Sequence, residues 1–150
     1  MQKTLVWLLL GLSVCWVGAS ATTAGVGLGF DPTGLVFFNA LTEVSLAEFL
    51  DVRAQVGFAT QQVAGLMIAC VDLLGHHPFP PVDPYLGGGI GLALTPPPYS
   101  TGLILEGLGG VRLIPAEPIA LFLQLRYAAR WSAGGWDSGP IYEGGIQLRF

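Results

Sequence analysis

Past residue 21 the chain contains no lysine and a single cysteine, Cys70. One thiol cannot close an intramolecular disulfide, so a cystine-stapled secreted module is excluded. Without lysine, the only cations there are Arg53, Arg112, Arg126, Arg130 and Arg149, against ten carboxylates, a formal charge of 5 − 10 = −5. No basic patch is available for nucleic acid. Charge of either sign is scarce: 11% of residues are charged, where soluble domains average about 25%. Long apolar runs are missing too. Beyond residue 21 the longest uncharged stretch, Pro84 to Leu105, is broken by Gly87-Gly88-Gly89 and Pro96-Pro97-Pro98, so no spanning helix is expected there. Yet 52% of the residues are hydrophobic. A chain this apolar has one other way to live in a bilayer, the closed β-barrel, because every backbone polar group in lipid must be paired.

What is present begins with a leader. Lys3, the apolar stretch Leu5 to Val14 and the small-x-small site Ala19-Ser20-Ala21 form a secretory signal peptide. Export and removal of residues 1–21 are therefore expected, leaving 150 − 21 = 129 residues, one domain over 22–150.

Runs bounded by turn chemistry predict eight strands: Ala24–Phe30, Leu35–Leu46, Leu50–Ala59, Leu66–Leu74, Tyr85–Leu94, Leu103–Ile114, Ile119–Trp131 and Ile141–Phe150. Ten residues at ~3.3 Å rise and ~45° tilt span about 23 Å, close to the ~25 Å apolar band of a transmembrane barrel. Within each strand the polar residues share one parity: Arg53 with Gln55, Glu106 with Arg112, Gln124 with Arg126 and Arg130, and Glu143 with Gln147 and Arg149. The opposite faces are aliphatic or aromatic. A soluble barrel would turn them inward, but five arginines and a few carboxylates cannot clothe the exterior of eight strands. The apolar faces are therefore assigned to lipid, and Glu43, Arg53, Asp72, Glu106, Arg112, Arg126, Arg130, Glu143 and Arg149 to an ion-paired lumen. Gly25, Gly27 and Gly29, and Gly87, Gly89 and Gly91, take the inward parity and make room for them.

Turn positions predict which of these meet. Folding about the centre of Thr60–Gly65 sets Arg53 beside Asp72, with Glu43 on its other side; folding about the middle of Ser132–Pro140 sets Arg130 beside Glu143 and Arg126 beside Gln147. Aromatic girdles are expected from Phe30, Phe58, Tyr127, Trp131, Trp136 and Tyr142 at one rim, and from Phe79, Tyr85 and Phe150 at the other.

Catalytic, cofactor and metal chemistry finds little footing. His76-His77 is expected in a solvated turn, with no third ligand at a fixed spacing. Leu92 stands where a dinucleotide fingerprint needs its third glycine. No Ser/His/Asp set is evident, so neither an enzyme nor a cofactor is expected. Cys70, inward with Asp72, is expected to be a small buried residue.

The succession Asp83-Pro84-Tyr85-Leu86-Gly87-Gly88-Gly89-Ile90-Gly91, Glu106-Gly107-Leu108-Gly109-Gly110-Val111-Arg112, Leu123-Gln124-Leu125-Arg126-Tyr127 and Tyr142 to Phe150 resembles the small OmpA-type outer-membrane β-barrel family. The resemblance implies an all-β, eight-stranded antiparallel up-and-down transmembrane barrel in the outer membrane of a diderm bacterium. It also implies contact with outer-membrane lipid and with the β-barrel assembly machinery, for which Tyr142, Ile146, Leu148 and the terminal Phe150 resemble the recognition signal. The expected role is a structural or interaction component of the envelope, in contact with an envelope protein partner and not with nucleic acid. A narrow channel for ions or very small solutes is the alternative, and a soluble periplasmic ligand-binding barrel the third.

Overall fold

A computed structural model describes residues 23–59, 66–94, 101–132 and 135–150. The expected leader, the turn at 60–65 and most of the turn after residue 94 lie outside them. The described residues form eight strands: β1 Thr23–Phe30, β2 Val36–Ala47, β3 Leu50–Ala59, β4 Met67–His76, β5 Val82–Leu94, β6 Gly102–Ala116, β7 Ile119–Ser132 and β8 Gly135–Arg149. Each pairs antiparallel with its neighbour in sequence, and β1 closes on β8 from Thr23↔Arg149 to Phe30↔Tyr142. Closure leaves no unpaired strand edge.

Alternation in the sequence becomes the two sides of the wall. Val26, Leu28, Leu73, Leu86, Ile90, Leu105, Leu123 and Ile146 are exposed on the outside. The largest fully buried side chains, by contrast, include Arg53, Gln147, Glu43 and Asp72. That distribution inverts a water-soluble domain, in which such groups are seldom fully buried.

Three expectations are corrected. Strand β8 starts at Gly135, so the stretch expected to be the loop Ser132–Pro140 is mostly ladder, with Trp131 opposite Trp136. Aromatic and β-branched residues favour the pleated wall, and the pairing of the two tryptophans carries the hairpin past its turn-like Ser and Gly residues. Gly135, at φ 110°, takes the left-handed backbone that the tight connection needs. Paired positions therefore sum to 267 instead of 273, which puts Gln124 opposite Glu143, Arg130 opposite Asp137 and Arg126 opposite Ile141. The slip is even, so every side chain keeps its face.

Tyr85 is not in a girdle. It carries the inward parity of its strand and is buried in the lumen. Phe49 joins Phe79 and Phe150 on the exposed surface at that end, while Phe30, Phe58, Tyr127, Trp131, Trp136 and Tyr142 are all exposed at the other.

The third correction concerns the histidines. Strand β4 continues through His76, so His76 turns inward. Its neighbour His77 packs outside, with ring centroids 4.5 Å from Phe79 and 5.9 Å from Phe49.

Candidate functional site: the barrel lumen

The lumen is layered. At the end that holds the β1–β2 turn it is apolar: Phe37, Leu66, Cys70, Ala93, Ile104 and Ile141 are buried against one another. Hydrophobic periodicity alone did not flag this patch, because the same inward parity that collects the charges also collects these residues where each strand nears the rim.

Below it lies a layer centred on Arg126. Its guanidinium reaches Glu106, Glu143 at 3.5 Å and the Cys70 sulfur at 3.6 Å. Gln55 and Gln124 donate to the two oxygens of Glu143 at 3.0 and 2.7 Å, which ties β3, β7 and β8 across the lumen. Asp72 sits against the Glu106 carboxyl and near Arg126, with no nitrogen or hydroxyl donor among the described residues bonded to either of its oxygens.

A third layer is built on Arg53 and Arg112. The Nε of Arg53 donates to Glu43 at 2.7 Å with Nη2 at 2.6 Å from the same oxygen, while Nη1 donates to Gln124. Glu43 also accepts from Thr23 at 3.0 Å and Gln147 at 3.1 Å, and its second oxygen lies 3.0 Å from Arg112. The Tyr85 ring lies between the two guanidiniums, 5.0 Å from that of Arg53 and 4.7 Å from that of Arg112, and its hydroxyl donates to Gln124 at 2.8 Å. Such stacking is worth most where water is excluded. Arg112 then reaches Asp83 at 2.8 Å and Asp51 at 3.4 Å, and both carboxylates flank His76, at 3.1 and 3.6 Å.

Of the nine lumen residues expected from sequence, Glu43, Arg53 and Arg112 are thus in one cluster, and Asp72, Glu106, Arg126 and Glu143 in another. Two are placed elsewhere. Arg149 lies at the rim, where it meets Glu117 of the β6–β7 turn at 3.0 Å with both groups well exposed; as the last residue of β8 it is past the enclosed part of the wall. Arg130 is half-buried at the opposite mouth with no ion pair among the described residues, because the hairpin register carries Glu143 six positions away from it. Asp51, Asp83, Tyr85 and His76 join the network beyond the residues expected in it, and Gln55, expected on the polar face with Arg53, bonds within it to Glu143. Parity was signal enough for Asp51 and Tyr85, since Asp51 shares it with Arg53, and Tyr85 with Gly87 and Gly89.

Ser45 donates to Asp51 at 2.7 Å and His76 approaches the other oxygen of the same carboxylate. The carboxylate is therefore in the middle, whereas nucleophilic catalysis needs the imidazole there. Among the described residues no group of His, Cys, Asp and Glu side chains is arranged to hold a metal ion.

No protein-family model and no curated protein sequence matches the chain. Solved structures do match its fold. Neisserial surface protein A superimposes with a TM-score of 0.66 at 16% identity, over 85% of this chain and 94% of that one. The N-terminal β-barrel domain of Pseudomonas aeruginosa OprF gives 0.66 at 11%, over 86% and 98%. The outer membrane enzyme PagL gives 0.61 at 8%, over 85% and 99%. The fold is that of the small eight-stranded outer-membrane β-barrels. It hosts an enzyme in one of these cases, so architecture alone does not assign an activity.

Proposed function

We propose that this chain is an integral outer-membrane β-barrel, exported through a leader cleaved near residue 21, whose ion-paired lumen closes it to solutes. On this reading it serves the envelope as a non-enzymatic structural or interaction component. One observation carries the proposal: an outer wall of exposed Leu, Ile, Val and aromatic side chains surrounds buried Arg53, Glu43, Arg126 and Glu106. Water would penalise that wall and lipid would not. An eight-stranded lumen filled with side chains has no radius left for a water column, which speaks against the narrow channel. Both chain ends belong at the periplasmic side, with the Asp31–Gly34 turn at the cell surface. Tyr142, Ile146, Leu148 and Phe150, all exposed on the outer wall, are there for the assembly machinery to engage.

Fractionation tests the reading. The chain, expressed in a diderm host, is expected to stay with the outer membrane through high-salt and alkaline washes and to leave only with detergent. Release by salt, or recovery in the periplasmic fraction, would overturn it.

A further inference from the structure

The mouth above the Arg126 layer is a cup of about 640 Å³ whose wall includes Phe37, Leu66, Ile68, Ile104 and Ile141. Small-molecule sites have this size and makeup, ~300–1,000 Å³ of mostly apolar lining with a few placed polar groups. The cup is a dead end. Cys70, part of the apolar cluster, touches the Arg126 guanidinium, which is held in turn by Glu106 and Glu143.

Charge decides what the cup can hold. Its charged lining is Asp31, Asp137 and Arg130, and the other connections at this end, 60–65, 95–101 and 133–134, contain no charged residue. The mouth therefore carries a formal charge of 1 − 2 = −1. Asp137 is exposed, and although Arg130 faces it across the ladder, no ion pair joins the two. Arg130 is laid along the wall instead: a Cβ at Gly102 would lie 2.9 Å from its Cγ and 3.2 Å from its Cδ, and its Nε is shut off from solvent. Asp31 accepts from the Thr33 and Leu35 amides at 2.9 and 3.0 Å and from the Thr33 hydroxyl at 2.6 Å, all through Oδ1. Directly below, one guanidinium, that of Arg126, is set against the three carboxyl groups of Glu106, Glu143 and Asp72. Acid is in excess at both depths. A well with apolar walls and such an excess attracts a cation and repels an anion. An inorganic cation needs several oxygen ligands at once, which an apolar wall does not supply. An ammonium carried on an alkyl chain needs only a carboxylate at the rim and apolar surface beneath it.

We infer that the cup binds a single-chain cationic amphiphile, with its alkyl chain against the apolar wall and its ammonium head at Asp137. This rests on the barrel reading above, and the two fail separately: fractionation tests the membrane, and the titration below tests the cup. The full-length mature chain, folded in zwitterionic phospholipid nanodiscs with isoleucine methyls labelled, is titrated with decyltrimethylammonium, decanoate and uncharged decanol. Ile90 and Ile146, exposed on the outer wall, report partition into lipid. Ile104 and Ile141, in the wall of the cup, report occupancy. Saturable shifts at Ile104 and Ile141 are expected with decyltrimethylammonium, at about threefold weaker affinity in Asp137→Asn, the size of one exposed ion pair. Arg130→Gln removes the one cation at the mouth and should tighten the same binding. Decanol should bind wild type and both variants alike, and decanoate should bind wild type more weakly than the ammonium does. Shifts confined to Ile90 and Ile146, decanoate bound as tightly as decyltrimethylammonium, or an ammonium affinity that Asp137→Asn leaves unchanged, would overturn the inference.

Discussion

Arg53 and Asp72 stand directly opposite one another across β3 and β4, yet the guanidinium turns away to Glu43 on the other flank. Both neighbours follow from the strand register, and the choice between them is made by the rest of the lumen. Tyr85 and Gln124 hold the guanidinium on the Glu43 side. Asp72 is left beside Glu106.

Two double-mutant cycles should therefore differ. Arg53→Ala with Glu43→Ala is expected to show the larger coupling, about 1–3 kcal/mol in urea unfolding from lipid vesicles, and Arg53→Ala with Asp72→Ala, which face each other without a direct bond, a clearly smaller one. Because Arg112 also reaches Glu43, the Arg53→Ala loss should fall short of the ~3–5 kcal/mol seen when a buried charge is fully stranded. Equal coupling in the two cycles would contradict the geometry.

Much of this arrangement is legible in the sequence. The inward face of Glu43, Arg53, Asp72, Glu106, Arg112, Arg126 and Glu143 follows from period-two alternation, because a strand has only two sides, whereas Asp83 and Asp137 lie in stretches that read as loops. Register is legible where the turn is tight or its centre is unambiguous, as for Arg53 opposite Asp72. It fails for β7 and β8, where Ser, Gly and Pro between residues 132 and 140 look like a loop but lie mostly in the ladder. Partner choice is not legible at all. Whether Arg53 takes Glu43 or Asp72 depends on Tyr85 and Gln124, which come from strands distant in sequence. The apolar mouth was likewise out of reach, since it appears only when the rim positions of several strands are brought together.

Glycines give a sharp contrast. A Cβ at Gly89 would lie 2.1 Å from the Val71 carbonyl oxygen and 2.8 Å from the Asp72 Cα, whereas one at Gly107 would meet nothing within 4 Å. Gly89→Ala is expected to destabilise the barrel by about 1–3 kcal/mol through overpacking of backbone that cannot move aside. Gly107→Ala should be neutral or stabilise by up to ~1 kcal/mol, by restricting the unfolded chain. The same vesicle unfolding measures both, and the reverse order would mean that Gly89 has space the structure denies it.

The outer wall can be tested at one position. Leu123, in β7, is 67% exposed and sits well inside the expected apolar band. Leu123→Arg should cost about 2–4 kcal/mol in a bilayer, the depth-dependent penalty for arginine near the midplane of a barrel. A cost near zero would indicate that this face meets water.

The buried charge network should close the lumen to ions. Single-channel recording of the folded chain in a planar bilayer should show no steady conductance, because Arg53, Arg112, Arg126 and their carboxylates occupy the cross-section. A stable, large open channel from the monomer would contradict the account.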